Sequence, residues 1–215
     1  MINIVSALII LIFPLNAGSV IQPLSDHLTI QIDHFSSNVV SQSTWQYLRN
    51  VTPIPPAPLL VDLRNNPGGY LHDALRFSAT FVTQNHLIQL RHSHDMTAIT
   101  RPLKHPYFPV SRIIILVNEH TASAAEAGAY VLSHHPNAVI IGTNTLGKSK
   151  VTSTQKSKEN HDEFQLPHGH IIPNIFFRFP SSAPTENVYL SAIQMAHQYL
   201  NDRDSKNRSE RTIGK

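Results

Sequence analysis

No cysteine occurs among the 215 residues of this chain. That excludes disulfides, thiolate metal sites and a cysteine nucleophile, and it leaves the redox compartment open. Charged residues are also few, 14% of the chain, and the formal net charge is only +3 with histidine neutral. The Lys and Arg residues form no basic stripe interleaved with aromatics, so no nucleic-acid partner is expected. No apolar run reaches the roughly 18 residues that a membrane-spanning helix needs. The longest, Ile2 to Leu15, instead has the length of a signal-peptide core and runs on towards Ala17, Gly18 and Ser19. It has no preceding Lys or Arg and no clean small-x-small cleavage site. The alternatives are a buried strand or the remnant of an upstream region. The stretch favours export, to a periplasm or out of the cell. No internal repeat is present.

The apolar content, 41%, and the length allow a sizeable core and one main domain. Fourteen histidines make the net charge sensitive to pH between about 5 and 8. His27 to Asp33 alternates Leu28, Ile30 and Ile32 with polar residues and predicts a half-buried strand. Ser37 to Arg49 predicts a helix, and the proline-rich 53–58 segment a stiff connector. Leu59–Leu63 is a short apolar strand ending at the turn signal Asn65-Asn66-Pro67-Gly68-Gly69, and helical spacing follows through Leu71, Leu75 and Val82. The segment 84–109 reads as a polar hairpin or loop excursion. Arg112–Val117 and Ala138–Gly142 are near-continuous β-branched runs, as strands covered on both faces require. Between them Thr121 can cap a helix of small residues, Ala122 to Leu132. Residues 151–169 read as irregular, and Tyr189, Ile193, Ala196 and Leu200 mark a last amphipathic helix. Successive strand–turn–helix units predict an α/β core. The division is a possible signal peptide or upstream remnant over 1–26, the core over 27–201 and a polar tail over 202–215.

Three turns hold residues suited to chemistry. Ser123, among Ala122, Ala124 and Ala125, lies near a predicted helix start, where unpaired N–H groups favour developing negative charge. That suits an acyl-transfer nucleophile, although serines at helix starts are common. Gly68 or Gly69 can turn an N–H into a cleft, and the Ala124 N–H can join it as an oxyanion donor. Lys148 could serve as the base if burial against Leu146, Ile140 and Ile141 lowered its pKa. The spacing from Gly142 to Ser149 also matches a phosphate-binding loop. His92-x-His94-Asp95 could hold a metal but lacks supporting groups. His134-His135 suits a helix C-terminus and His168-Gly-His170 a turn.

Taken together, Asp62-Leu-Arg-Asn-Asn-Pro-Gly-Gly69, Thr121-Ala-Ser-Ala-Ala-Glu126 and Gly142, Thr145, Gly147, Lys148 closely resemble the C-terminal-processing, or tail-specific, serine protease family. The resemblance runs from about Leu28 to Leu200 and takes in Gly169–Ile175. It implies a ClpP/crotonase-like α/β fold and endopeptidase action on the C-terminal regions of protein substrates. It also implies Ser123 as nucleophile, Lys148 as general base, and Gly68 and Ala124 as oxyanion donors. Glu126 stands where the family keeps a glutamate near the site, and Thr152 where it often has glutamine. No cofactor or metal is implied, and the partners are protein or peptide substrates. The phosphate-loop reading gives way, since no Walker-type magnesium partner is evident. Ser149 replaces the family's glycine after the lysine, and the core begins too early for the family's usual preceding PDZ domain. The alternative function is therefore a weakened or inactive homologue that binds peptides or a partner. A crotonase-like acyl-CoA enzyme ranks last, because it does not account for serine and lysine in register.

Overall fold

A computed structural model describes residues 13–15, 19–23, 27–37, 39–50, 57–84, 86–91, 96–100, 106–151, 162–166, 168–180 and 184–213. His92–Asp95, Thr152 and most of the Ile2–Leu15 stretch fall outside them. The strands in order are β1 (Phe13–Leu15), β2 (Ser19–Pro23), β3 (Leu28–Ile32), β4 (Leu59–Asp62), β5 (His86–Arg91), β6 (Met96–Thr100), β7 (Ile113–Val117), β8 (Ala138–Gly142), β9 (Lys150–Val151), β10 (Asp162–Phe164) and β11 (Ile175–Phe176). The helices are α1 (Val39–Leu48), α2 (Leu71–Ala79), α3 (Ala124–Leu132) and α4 (Thr185–Ile213).

β7 explains the architecture. All five of its residues are buried. Ile113, Ile115 and Val117 enter one core, while Ile114 and Leu116 enter the other. An unbroken β-branched run is thus the signature of a strand with packed layers on both sides. The main sheet runs β1-β2-β3-β4-β7-β8-β11, parallel from β3 onward. Chain order and spatial order agree from β3, so every crossover steps the same way. Right-handed crossovers then put α1, α2 and α3 on one face. Their buried residues share the first core with Ile30, Val61 and Ile115. On the other face α4 lays Val188, Tyr189, Ala192, Ala196 and Leu200 against Leu60, Ile114 and Leu116.

Two close approaches tie the helices together. The buried Asp73 of α2 accepts the Val40 and Ser41 N–H groups at 3.1 and 3.0 Å and the Ser41 hydroxyl at 2.6 Å, and so caps the start of α1. Small residues in α3 let α2 approach until Ser78 Oγ donates to the Gly128 carbonyl at 3.0 Å. Helices α2 and α3 both begin at strand ends on the same edge of the sheet. Packing them closely brings the turns before them together.

The excursion after Gln84 forms the hairpin β5–β6, as its composition predicts. It is not isolated: β10 pairs with β5 and β9 pairs with β10, making a second, antiparallel sheet in the order β6-β5-β10-β9. The polar 151–169 segment, expected to be irregular, therefore supplies a strand. Helix α4 also exceeds expectation, running to Ile213 rather than ending near residue 201. No Gly or Pro interrupts 185–213, and Asp202/Lys206 and Asp204/Arg208 stand at the favourable acid-before-base spacing.

Candidate active site

The turn after β4, the loop after β7 and the loop after β8 meet at one end of the parallel strands. Ser123 is the N-cap of α3 and has φ 56° and ψ −124°. For a residue with a side chain this backbone is strained, costing about 1–3 kcal/mol, and it persists only where surrounding bonds over-determine it. Those bonds are present. The Ser123 N–H donates to Glu126 Oε2 at 2.8 Å, and the Ser123 carbonyl accepts the Glu126 and Ala127 N–H groups at 2.9 and 3.2 Å. A serine on a sharp strand-to-helix turn has its hydroxyl presented at the turn's apex. Thr121, expected as the helix cap, has another task. Its hydroxyl donates to the Leu63 carbonyl at 2.7 Å and ties the serine loop to the β4 turn. The cap passes to Ser123 because the chain is still crossing from the strand at Thr121.

Lacing between the first two loops continues along their length. Asn65 and Asn118 exchange two bonds: the Asn65 N–H to Asn118 Oδ1 at 2.9 Å, and Asn118 Nδ2 to Asn65 Oδ1 at 2.8 Å. The Ala122 N–H donates to the Asn66 carbonyl at 2.9 Å. Gly68 lies directly against the serine. A Cβ added there would stand 2.7 Å from Ser123 Cβ and 2.8 Å from the Ala122 carbonyl oxygen, and its φ is +109°. Only glycine permits this approach.

The expected oxyanion donors fare differently. The Ala124 N–H, at the first turn of α3, has no hydrogen-bond acceptor among the described residues. The Gly68 N–H is occupied: it donates to Asn66 Oδ1 at 2.8 Å. This bond is an Asx turn, in which an Asn side chain captures the amide two residues on. The Gly69 N–H is free among the described residues. The Gly68 carbonyl accepts the Phe35 N–H at 2.8 Å, and in a trans peptide the next N–H points the opposite way, so the Gly69 N–H faces away from Phe35.

Glu126 joins the second loop to the third. It is fully buried. Oε2 accepts the Ser123 and Lys148 N–H groups, each at 2.8 Å, and Oε1 accepts the Gly147 N–H at 2.7 Å and the Thr145 hydroxyl. All of its acceptor directions are used, as a buried carboxylate requires. Thr145 Oγ1 in turn accepts the Ile171 N–H at 2.8 Å, and the Leu146 N–H donates to the Thr121 carbonyl at 3.0 Å. Ser149 is accommodated: its hydroxyl donates to Glu163, and its carbonyl accepts the Phe164 N–H at 3.1 Å, which anchors the lysine loop to β10.

The side chain of Lys148 is exposed, and Leu146 beside it is 62% exposed. The apolar wall expected around the amine is not built from Leu146, Ile140 and Ile141. The two isoleucines belong to β8, where alternation sends Ile140 into one core and Ile141 into the other. Among the described residues no hydrogen bond joins Ser123 Oγ to Lys148 Nζ; the two residues are linked through their amides on Glu126.

Behind the β4 turn, on the α4 side, the Arg64 guanidinium grips the buried Asp62 carboxylate through two bonds of 2.9 and 2.7 Å. It also stacks 5.3 Å from the centre of the Phe179 ring. Burial, and the adjacent Asp62 carboxylate, push the Tyr189 phenol far above its usual range. A cavity of about 570 Å³ opens here, lined by Arg64, Asn118, Glu119 and Arg178 among others. Its charges are paired internally, with Arg178 on Glu119 at 2.8 Å. The Glu119 carboxyl is held down to about 2, first by the bond it accepts from Thr143 and then by its own main chain and by Arg178.

His134 and His135 take local roles. The His134 Nδ1 lies 2.8 Å from the Tyr130 carbonyl, and His135 Nε2 lies 3.2 Å from the Val110 carbonyl, both at the end of α3. Among the described residues no group of three His, Asp or Glu is placed to hold a metal ion.

An α/β protein with a strained serine on the turn into a helix is the class that this fold and site define. The chain belongs to peptidase family S41, whose family model matches residues 27–174. It is 30% identical over 111 residues to the tail-specific protease of Haemophilus influenzae, a match covering 52% of this chain and 16% of that protein. To a probable CtpA-like serine protease of Staphylococcus haemolyticus it is 32% identical over 130 residues, covering 53% of this chain and 25% of the relative. The match therefore spans a quarter or less of these curated relatives. Among solved structures, a lipoprotein from Streptococcus agalactiae superposes with a TM-score of 0.63 at 20% identity, over 86% of this chain and 70% of that one. A photosystem II D1 C-terminal processing protease superposes with a TM-score of 0.58 at 22% identity, over 76% and 46%. These likenesses establish the α/β fold.

Asn66 is a site residue that the motifs above do not single out. The signal for it was the Asn-x-Gly spacing of an Asx turn. For Glu126 the signal was Ser-x-x-Glu, the spacing of a capping box, which brings the carboxylate back to the Ser123 amide.

Proposed function

We propose that this chain is a serine-type endopeptidase that cleaves protein substrates in their C-terminal regions. The observation that carries the reading is the strained backbone of Ser123 beside an Ala124 N–H that has no acceptor among the described residues. Strain of this kind clusters where a group must be presented to a ligand. The names of the relatives, a tail-specific protease and a C-terminal processing protease, support the substrate class.

In this reading the Lys148 amine takes the hydroxyl proton as Ser123 Oγ attacks a peptide carbonyl carbon. The oxyanion is met by the Ala124 N–H and, with Gly68 spent on Asn66, by the Gly69 N–H. The tetrahedral species collapses to an acyl-enzyme as Lys148 returns the proton to the leaving amine. Water, deprotonated by the same lysine, then releases the acyl group. Glu126 holds the serine turn and the lysine loop at a fixed spacing. Thr152 is proposed as an auxiliary residue following the lysine. The peptidase core is taken as 27–201, with 1–26 ahead of it and 202–215 behind. A periplasmic or secreted location rests on the Ile2–Leu15 stretch. Among the described residues, no helix is long and apolar enough to cross a membrane.

A second reading is a peptide- or partner-binding module without turnover. The exposed Lys148 side chain, unbonded to Ser123, supports it. A fluorophosphonate probe separates the two. Labelling of wild type at Ser123, lost in Ser123→Ala and reduced at least about 100-fold in rate in Lys148→Ala, is expected of the dyad. An unlabelled wild type, or full labelling in Lys148→Ala, defeats it.

A further inference from the structure

Asn66 is fully buried, and each of its polar groups holds a different segment. Nδ2 donates to the Ile32 carbonyl at the end of β3 at 2.8 Å. Oδ1 accepts the Gly68 N–H at 2.8 Å. Its main-chain carbonyl accepts the Ala122 N–H at 2.9 Å, one residue before Ser123. A side chain that served only the local turn would have no reason to reach across to β3. The bond to Ile32 fixes the amide plane of Asn66, and with it the direction in which Oδ1 meets Gly68.

We propose that Asn66 is a positioning residue that sets the spacing between the Gly69 and Ala124 amides, which have no acceptor among the described residues. The inference rests on the hydrolytic reading of Ser123. The two peptide planes that meet at Gly68 are each held by one bond. Asn66 Oδ1 takes the N–H of Gly68, and Phe35 N–H takes its carbonyl at 2.8 Å. The first bond fixes the Pro67–Gly68 plane and the second the Gly68–Gly69 plane, so the backbone at Gly68 between them, with φ 109°, cannot change without breaking one of these bonds. The Gly69 N–H is thereby kept turned from Phe35 and without an acceptor among the described residues. At the other donor, the Asn66 carbonyl holds Ala122 and so the approach to Ser123 and Ala124. One residue thus grips the chain next to each donor. Loss of its side chain frees the Gly68 N–H to swing and blurs the donor geometry, while the surfaces that would bind a substrate chain are untouched. Transition-state stabilisation falls and ground-state binding does not.

The test uses the full chain labelled with ¹⁵N-glycine, whose eight glycines give a countable amide spectrum. In wild type the Gly68 amide is expected to exchange with solvent slowly and the Gly69 amide fast. Phenylboronic acid, which forms a tetrahedral adduct on an active serine, is expected to shift the Gly69 resonance more than that of Gly68. In Asn66→Ala the Gly68 protection should vanish, and kcat on a peptide ester should fall about 100-fold or more with KM within about twofold. A fast-exchanging Gly68 amide in wild type overturns the proposal, as does an adduct that shifts Gly68 in preference to Gly69. A folded Asn66→Ala protein with wild-type kcat overturns it too. If Asn66→Ala does not fold, the wild-type exchange and adduct shifts decide alone. If wild type forms no adduct and turns over no ester, the hydrolytic reading of Ser123 fails and the positioning role falls with it. Gly68 protection, lost in Asn66→Ala, would then report only a structural turn.

Discussion

Glu126 Oε2 accepts the Lys148 N–H at 2.8 Å, and the same oxygen accepts the Ser123 N–H at 2.8 Å. A single buried carboxylate at the start of α3 thus holds the main chain of the two residues proposed to form the dyad. It also draws on the favourable field of the helix N-terminus. The spacing of the serine turn and the lysine loop is therefore set by main-chain bonds, while the Lys148 side chain is exposed.

Replacing Glu126 by Gln should loosen that joint. The carboxylate meets four donors, from Ser123, Thr145, Gly147 and Lys148. An amide would turn its NH₂ against two of them and leave buried N–H groups unpaired, at a cost of about 3–5 kcal/mol. The expected result is a fall in Tm of roughly 10 °C together with loss of Ser123 labelling. An unchanged melting curve would show that the carboxylate does not clamp the loops.

Ser123→Gly should be more stable than Ser123→Ala by about 1 kcal/mol and equally inactive. At φ 56° and ψ −124° a Cβ is strained, and glycine removes the strain while keeping the main-chain bonds to Glu126 and Ala127. Urea titrations of the two variants give the comparison. Equal stability, or a weaker glycine variant, would mean that the turn stores no strain.

Glu119 should make stability depend on acid. Its carboxyl is lowered in the folded protein from 4.5 to about 2, chiefly by the Thr143 hydroxyl, then by its own main chain and by Arg178. The folded state therefore favours the ionised form. The contribution is present above the unfolded value and is lost as pH falls from 4.5 towards about 2. Wild type should be more stable than Glu119→Gln at pH 6, with the gap closing over that window. A gap that stays constant with pH would rule out this linkage.

Much of the fold could be read from the chain because local patterns and global packing agree. The Ile113–Val117 run and the alternation over Leu28–Ile32 report their neighbours directly. The joining of β10 and β9 to the β5–β6 hairpin could not be read this way. Its pairings, such as Glu163 with Arg91, join short polar segments far apart in the chain, and no periodicity marks them. The end of α4 at Ile213 is not legible in the chain, because a polar sequence without Gly or Pro carries no clear stop.

The residue types at the site are a property of the sequence: serine, lysine, a glycine pair and a glutamate, each next to a turn signal. Which of their groups are engaged is a property of the tertiary structure. An amide at a turn can face solvent, a neighbour or a ligand, and the choice depends on partners brought from other strands. Asn66 takes the Gly68 N–H, Glu126 takes those of Ser123 and Lys148, and the Gly69 and Ala124 amides are left without acceptors among the described residues. Sequence spacing placed these groups in register. Only the packing of α2 against α3, and of both against the sheet, decided which of them face one another.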